Sequence, residues 1–457
     1  MEFIINIIQA VLDMGASVFL PIIFFIFGII VRMKPSKALS AGLTLGVAFT
    51  GISMVMSFLT SNVGAAAQAF VNNSGFALPA LDLGWAALLG FTWQWEYAFF
   101  MFFIQIGINI LMLVFNLTDT INVDMWNVVN KIFTAYIISV ISGSVILGFA
   151  IAAIQVVFEL KNADCIKRQV HDITGVPGVT ISHPMLLSNI VIYPLYVVLN
   201  KIIPSKGTIN AETLRQKIGI WGENHVLGMI VGTGIGLFGG YTIQKALLVG
   251  IQAGTALTLF PMVTKLFMTA LTPISEATSK FVHKRFPGKE IVVGLDWPII
   301  AGNSELWVVA ILTIPFIIGL SLVLPWNIVL PLASLTATSA FVPSFIMYKG
   351  DIVKMFITNV LAVPIFLFVS SYFAPVFTIL VNNVGGIDTL APGQMVSQYG
   401  MNLSVIRWAI CAAIELNPFA IATCVGIVFF GFLYFKEMKK RETELAQKIG
   451  DLEETSV

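Results

Sequence analysis

The sequence has very little charge. Asp, Glu, Lys and Arg make up 11% of its 457 residues, whereas about a quarter is usual in a soluble globular protein. The hydrophobic fraction is 57% and the mean hydropathy is +0.91. So few charges cannot cover so much apolar surface in water, which excludes a soluble globular fold. The net charge of +1 shows no basic excess of the kind that binds nucleic acid.

Residues typical of metal and catalytic sites are also scarce. The three cysteines, Cys165, Cys411 and Cys424, have no disulfide or metal spacing. None of the four histidines lies at helical i,i+4 spacing from another metal ligand. No P-loop, dinucleotide-binding glycine motif or Ser-His-Asp arrangement is convincing. We therefore predict no catalytic residue, no bound metal and no cofactor.

Long apolar runs are abundant instead. Segments of about 20 apolar residues are long enough to cross a bilayer as a helix. They recur at 17–31, 43–60, 97–117, 132–158, 224–241, 306–325, 355–381 and 408–435. This pattern predicts an all-α polytopic membrane protein with about 10 to 12 transmembrane helices, together with amphipathic or re-entrant segments.

One short phrase occurs twice. KALSAGLTLG at 37–46 is answered by KALLVGIQAG at 245–254, with five of ten positions identical. Three further matches follow in the same order: Asp82 with Asp296, Glu96 with Glu305, and Trp126 with Trp326. Such polar and aromatic residues are rare in apolar helices, so their common order indicates an internal duplication. The small residues of the phrase are typical of close helix packing.

The duplication predicts two halves of inverted topology, an architecture common in secondary transporters. Residues 1–205 form the first half, with about five spans, and 218–435 the second, with five or six. Residues 206–217 are a polar linker, and 436–457 are a charged cytoplasmic tail. The basic clusters place these polar segments on the cytoplasmic side.

A few polar residues lie where the chain is otherwise apolar. Asp82 and Asp296 form a repeat-related pair, and ionisable groups at membrane depth are candidates for function. The segment 175–189 contains helix-breaking glycines and prolines beside Thr180, Ser182 and His183. It is either a wall of a wet cavity or a re-entrant helix entry. Its neutral donors and acceptors suit a polyhydroxylated solute.

Four motifs resemble one family. They are NVDMWN at 122–127, GVTISHP at 178–184, WGENHVLG at 221–228 and GLDWPIIAGN at 294–303. The sequence resembles the galactitol-type membrane subunit, IIC, of the bacterial phosphotransferase system, in the ascorbate–galactitol superfamily. The resemblance covers nearly the whole chain and implies a multi-pass permease of the bacterial cytoplasmic membrane, built as a homodimer with inverted repeats.

The resemblance also implies the function and the partners. Such a subunit takes up a sugar alcohol and presents it to a IIB protein that carries a phosphocysteine and is itself charged by IIA. Cys165 has no glycine-rich anion nest around it, so IIA and IIB are expected to be separate polypeptides. Galactitol, another hexitol and a pentitol all stay open as substrates. The alternative is an ion-coupled transporter that releases its solute unmodified, with Asp82 or Asp296 as the proton site.

Substrate contacts follow from the matching motifs. The resemblance implies contacts at Asp82, Trp126, Asn130, His183 and Asp296, with Glu223 and Asn303 as second choices. Asp82, His183 and Asp296 are expected to hydrogen-bond hydroxyl groups. Trp126 is expected to form an apolar wall against the carbon chain. The other interpretation of Glu223 is a role at the start of the helix that follows it.

Overall fold

The structure is a computed structural model, and most of the chain that it describes is helical. It describes residues 16–66, 69, 73, 78–84, 92, 95–98, 100–122, 127–203, 220, 223–285, 291–331, 334, 341–383 and 393–455. The helices are α1 (Ala16–Ile30), α2 (Pro35–Leu59), α3 (Phe100–Val114), α4 (Val128–Ser142), α5 (Val145–Thr174), α6 (Asn189–Ile202), α7 (Asn224–Phe238), α8 (Ile243–Arg285), α9 (Ser304–Val323), α10 (Phe341–Tyr348), α11 (Ile352–Asn383), α12 (Ser404–Ile414) and α13 (Pro418–Thr455).

The helices confirm the predicted class of all-α polytopic membrane protein. Five segments in the described ranges are long and apolar enough to cross a membrane: Val145–Thr174, Pro184–Ile202, Ser304–Val323, Ile352–Asn383 and Pro418–Gln447. Four shorter apolar helical segments of 10 to 17 residues accompany them. Large apolar side chains are exposed on many of these helices, as expected where lipid replaces water as the solvent. The count of 10 to 12 spans stays a prediction.

Both copies of the repeated phrase begin the second helix of a helical hairpin. The copy at 37–46 lies on α2, which packs against α1, and the copy at 245–254 lies on α8, which packs against α7. A Cβ atom at Gly42 would lie 2.7 Å from Pro21 O, and one at Gly254 would lie 2.5 Å from His225 O. Both distances are too short for a side chain, so these glycines allow the close packing that the sequence predicts.

In the described ranges, six short strands form two parallel sheets of three strands. They are β1 (Ala80–Asp82), β2 (Thr120–Asn122), β3 (Val179–Ile181), β4 (Val292–Leu295), β5 (Val329–Leu330) and β6 (Met395–Ser397). The first sheet has the order β5-β1-β6 and the second has the order β2-β4-β3. Every neighbouring pair is parallel. The sheets satisfy backbone groups that would otherwise be buried without partners where the chain is not helical.

The two sheets have equivalent strand orders, with strands from the first half of the chain in one sheet replaced by strands from the second half in the other. Replacing β1, β2 and β3 by β4, β5 and β6, and the reverse, converts one strand order into the other. The central strands, β1 and β4, are those that lead to the repeat-related residues Asp82 and Asp296. A duplicated chain would produce this relation. The predicted linker at 206–217 lies outside the described residues, so the division into 1–205 and 218–435 stays a prediction.

The charged C-terminal segment continues the last apolar helix. α13 runs unbroken through residue 436, where the sequence analysis places the start of a tail. Arg441 is buried and donates a hydrogen bond to Met347 O at 3.2 Å. Glu442 accepts a hydrogen bond from the Arg168 backbone amide at 3.1 Å and forms an ion pair with its guanidinium. These contacts dock the first turns beyond residue 436 against the rest of the protein.

Candidate functional site

The second sheet places its strand ends side by side. The central strand β4 is completely buried, with Thr180 opposite Gly294 in the register of β3. A Cβ atom at Gly294 would lie 2.8 Å from both Ser182 Oγ and Thr120 Cγ2. The absence of a side chain at Gly294 therefore lets residues from both outer strands close over the central strand. The Ser182 amide donates to Leu295 O at 3.0 Å, which extends the pairing to the residue before Asp296.

Asp296 and His183 occupy corresponding places where their strands end. Asp296 follows β4 and caps a short 3-10 turn, with its Oδ1 accepting the Trp297 amide hydrogen at 2.6 Å. His183 follows Ser182 and caps another 3-10 turn, with its Nδ1 accepting the Met185 amide hydrogen at 3.2 Å. Each turn has a proline within its first two positions, where the missing amide hydrogen costs nothing. The local sequence thus fixes both side chains.

The two side chains meet. His183 Nε2 lies 3.6 Å from Asp296 Oδ1, and both residues are at least nine-tenths buried. This distance is too long for a direct hydrogen bond. Because Nδ1 accepts a hydrogen bond, the neutral imidazole carries its proton on Nε2. The pair therefore presents one donor and one acceptor close together, an arrangement that suits a hydroxyl group, which both accepts and donates.

Asn130 completes this cluster from helix α4. Its Nδ2 lies 3.4 Å from His183 Nε2, and its Oδ1 accepts a hydrogen bond from Asn402 Nδ2 at 3.1 Å. With the imidazole proton on Nε2, Asn130 Nδ2 and His183 Nε2 are both donors, so they do not bond to each other and both can donate to a ligand oxygen. Asn130 and Asn402 are both buried. Three of the predicted site residues, Asn130, His183 and Asp296, are therefore brought together. Asn402, which the sequence analysis does not consider, joins them from the segment after β6.

A buried arginine holds the two asparagines in place. Arg407 on α12 is 1% exposed. Its Nη2 donates to Asn130 O at 2.8 Å, its Nη1 donates to Asn402 O at 2.5 Å, and its Nε donates to Thr134 Oγ1 at 2.9 Å. The planar guanidinium suits three acceptors in fixed directions, which a lysine ammonium would not match. Arg407 thus fixes the backbone of α4 and of the segment before α12 relative to each other.

A buried ion pair lies on the same helix as Asn130. Lys131 on α4 pairs with Glu159 on α5, and both side chains are almost completely buried. Glu159 also accepts a hydrogen bond from Gln155 at 2.7 Å, and Gln155 accepts one from Thr134 at 2.6 Å. Buried charges persist only where partners of this kind satisfy them. The network therefore fixes the α4–α5 contact behind the cluster.

Asp82 lies in the other sheet, in a different environment. Its carboxylate accepts hydrogen bonds from the Ser334 amide at 2.8 Å and from the Ser334 hydroxyl at 3.0 Å. It also accepts the Gly84 amide hydrogen at 3.2 Å and the Tyr399 amide hydrogen at 3.3 Å. Asp82 is 3% exposed. Four donors from its own chain surround this carboxylate, whereas Asp296 faces the imidazole of His183.

The remaining candidates are more dispersed. Glu223 precedes α7, and its Oε2 lies 3.2 Å from Nε2 of His225, which is largely exposed. Asn303 precedes α9 and donates to Ile300 O at 2.7 Å, seven residues after Asp296 in the chain. Trp126 lies outside the described residues. Within the described ranges, no three His, Cys, Asp or Glu side chains come close enough to hold a metal ion.

Comparison with known proteins decides the family. Residues 10–390 match the model of the EIIC-GAT family, described as the PTS system sugar-specific permease component. The chain belongs to the EIIC-GAT family. It is 28% identical over 435 residues to the "PTS system galactitol-specific EIIC component" of Escherichia coli strain K12 and to the protein of the same name in E. coli O157:H7. Each alignment covers 94% of this chain and 94% of the relative.

Membership of the EIIC-GAT family confirms the resemblance stated from the motifs. The protein is a membrane permease subunit of the phosphotransferase system, and its apolar helices agree with that location. Components of this kind work with separate IIA and IIB proteins. The cluster of Asn130, His183 and Asp296 is therefore the candidate sugar site of an EIIC permease.

Several residues around this site escaped the sequence analysis although a signal for them exists. Lys131 directly precedes the apolar run 132–158, Glu159 directly follows it, and Arg407 directly precedes the run 408–435. The charges themselves set the ends of those runs, and the sequence analysis therefore left them outside the spans. In the structure all three are buried. Charged residues that flank long apolar runs could thus have been tested as interior residues.

Some polar atoms near the site have no partner in the part of the chain that the structure describes. They include Ser182 Oγ, which lies over Gly294, and Asn402 Oδ1, beside Asn130. A buried polar atom without a partner costs about 1–3 kcal/mol. A bound ligand rich in hydroxyl groups would satisfy such atoms. These atoms suit a polar ligand with hydroxyl groups.

Proposed function

We infer that this permease subunit binds a sugar alcohol of the galactitol class between His183 and Asp296 and delivers it for phosphorylation by a separate IIB protein. The observation that carries the inference is the pairing of a donor, His183 Nε2, with an acceptor, Asp296 Oδ1, at 3.6 Å in a buried setting. One hydroxyl group accepts from the first and donates to the second. The names of the E. coli relatives support galactitol as the first substrate to test.

The other groups of the site match the same class of solute. The amides of Asn130 and Asn402 and the hydroxyl of Ser182 add neutral donors and acceptors. A sugar alcohol carries a hydroxyl on every carbon and no formal charge, so several neutral groups and one carboxylate can recognise it. The subunit contributes binding and positioning. In the phosphoryl transfer itself, the S–P bond of the IIB phosphocysteine breaks, the polyol hydroxyl exchanges its O–H bond for an O–P bond, and the proton goes to the departing cysteine thiolate or to water.

In this proposal Asp82 has a structural role in place of the ligand role expected from its motif. Its four hydrogen bonds join β1 to Ser334 and to the segment after β6. A substrate hydroxyl would have to displace one of these donors to reach the carboxylate. Glu223 and Asn303 are assigned to helix starts, and no described contact joins either side chain to His183.

The function is tested by reconstitution. Proteoliposomes that contain the purified subunit are loaded with IIB, IIA, the two general phosphotransferase proteins and phosphoenolpyruvate, and radiolabelled galactitol is added outside. We expect the label to appear inside as galactitol phosphate only when IIB is present. Omission of IIB is the matched control. Accumulation of free galactitol driven by a proton gradient, without phosphoenolpyruvate, would instead establish the ion-coupled alternative.

The proposed assembly is a homodimer, as the resemblance implies. Exposed apolar side chains on the membrane-facing helices, including Phe419, Val428 and Phe432 on α13, are compatible with either lipid or a second copy as neighbour. We expect light scattering in detergent, corrected for the detergent mass, to give twice the mass of one chain at concentrations well above the dissociation constant. A single-chain mass at every concentration would contradict the homodimer.

A further inference from the structure

The equivalence between the strand orders of the two sheets identifies a counterpart for His183. In the second sheet the sequence GVTISH, 178–183, runs along β3 beside the strand that leads to Asp296. In the first sheet GQMVSQ, 393–398, runs along β6 beside the strand that ends at Asp82. Both segments begin with a glycine at positive φ, 72° and 81° respectively. Gln398 therefore occupies, after β6, the position that His183 occupies after β3.

The counterpart side chain has an unsatisfied polar atom. Gln398 is 1% exposed, and its Oε1 has no hydrogen-bond partner within the described ranges. Its neighbour in the chain, Ser397, is satisfied because its hydroxyl donates to Ser370 O at 2.6 Å. The Tyr399 hydroxyl and Asn402 Oδ1 also lack partners among the described residues. Three of the five residues at 398–402 thus bury an unpaired oxygen, an arrangement that is costly without a ligand.

This segment is physically connected to the His183 site. The side chain of Asn402 contacts Asn130, which contacts His183. Arg407 bonds to the backbone oxygens of both asparagines and so fixes the end of the segment against α4. At its other end, the Tyr399 amide is bonded to Asp82. The segment 398–402 is therefore held rigidly at both ends, as a preorganised binding element should be.

We propose that the segment 398–402 is the second wall of the substrate site, and that Gln398 and Asn402 bind polyol hydroxyls other than the one held by His183 and Asp296. This rests on the function proposed above. The pair of His183 and Asp296 can serve only one or two hydroxyls, whereas a hexitol carries one on every carbon. The second wall thus discriminates between polyols by their length and configuration, and Gln398 is a specificity-determining residue.

The test is galactitol binding by calorimetry to the purified protein in nanodiscs, with melting temperature measured in parallel. Gln398→Leu removes the amide at nearly constant volume, and we expect it to raise the Kd for galactitol about tenfold, the effect of one lost hydrogen bond. Gln394→Leu is the matched control, because Gln394 is exposed and lies four residues before Gln398, on the other side of β6. We expect it to leave the Kd unchanged. Neither variant should change the melting temperature of the free protein appreciably.

A series of shorter polyols separates a ligand contact from a general disturbance. If Gln398 binds a distal hydroxyl, Gln398→Leu should raise the Kd strongly for galactitol. It should leave the Kd unchanged for a polyol too short to reach residue 398. An equal penalty for every polyol, or an unchanged Kd for galactitol, would overturn the proposal. Wild-type affinity in Asp296→Asn would instead overturn the proposed function, whatever Gln398→Leu does.

Discussion

Asp296→Asn is expected to weaken galactitol binding by about 100-fold while the protein folds normally. The substitution keeps the size of the side chain, and its oxygen can still accept the Trp297 amide hydrogen that caps the following turn. It removes the negative charge that strengthens a hydrogen bond from a substrate hydroxyl. Hydrogen bonds to charged groups contribute about 1.5–3 kcal/mol, which corresponds to a ten- to hundredfold change in affinity. The measurement is galactitol Kd together with uptake into proteoliposomes.

Asp82→Asn is the matched control, because Asp82 has the same place on the central strand of the first sheet as Asp296 has in the second. Four donors converge on the Asp82 carboxylate. An asparagine side chain has only one oxygen to accept these hydrogen bonds. Its NH2 group would face the remaining donors and could not bond to them. We expect a lower melting temperature and a lower yield, with a nearly unchanged Kd in the fraction that folds. The reverse outcome, with Asp82→Asn losing affinity and Asp296→Asn losing stability, would exchange the roles proposed for the two residues.

The contrast between these aspartates shows how far the sequence can predict the site. The repeat identifies both residues, and the motif around His183 indicates an irregular segment with hydrogen-bonding groups. Three of the four donors to Asp82, however, lie 252 or 317 residues away along the chain, at Ser334 and Tyr399. No local sequence pattern predicts contacts between residues so far apart in the chain. The sequence therefore predicts which residues are unusual, while the tertiary fold decides which partners surround each of them.

The same limit applies to the fold. Composition and apolar runs are sufficient to predict a helical membrane protein, since every span carries its own hydrophobic signal. The strands are only two to four residues long, too short for a period of two to be recognised. β5 and β6, for example, pair with β1 from the opposite half of the chain. The parallel sheets that position Asp296 and His183 could not be foreseen for this reason.

Arg407→Lys is expected to raise the Kd for galactitol at least tenfold, although the positive charge is kept. The argument depends on geometry: Arg407 donates in three directions, to the backbone oxygens of Asn130 and Asn402 and to Thr134. A lysine ammonium on a flexible stem cannot reach all three acceptors at once. Asn130 and Asn402 would then lose their fixed separation. Asn130 lies against the imidazole of His183, and Asn402 contacts Asn130. Arg407 is thus a positioning residue.

The control for this prediction is a second buried arginine. Arg441 on α13 donates to Met347 O and to the Tyr196 hydroxyl, and Arg441→Lys should lower the melting temperature without changing the Kd. Arg407→Met tests the role of charge, because replacing a buried cation by an apolar side chain also removes its desolvation cost. We expect it to bind galactitol as weakly as Arg407→Lys. If Arg407→Lys kept wild-type affinity, charge and not the fixed geometry of the guanidinium would be what the site requires.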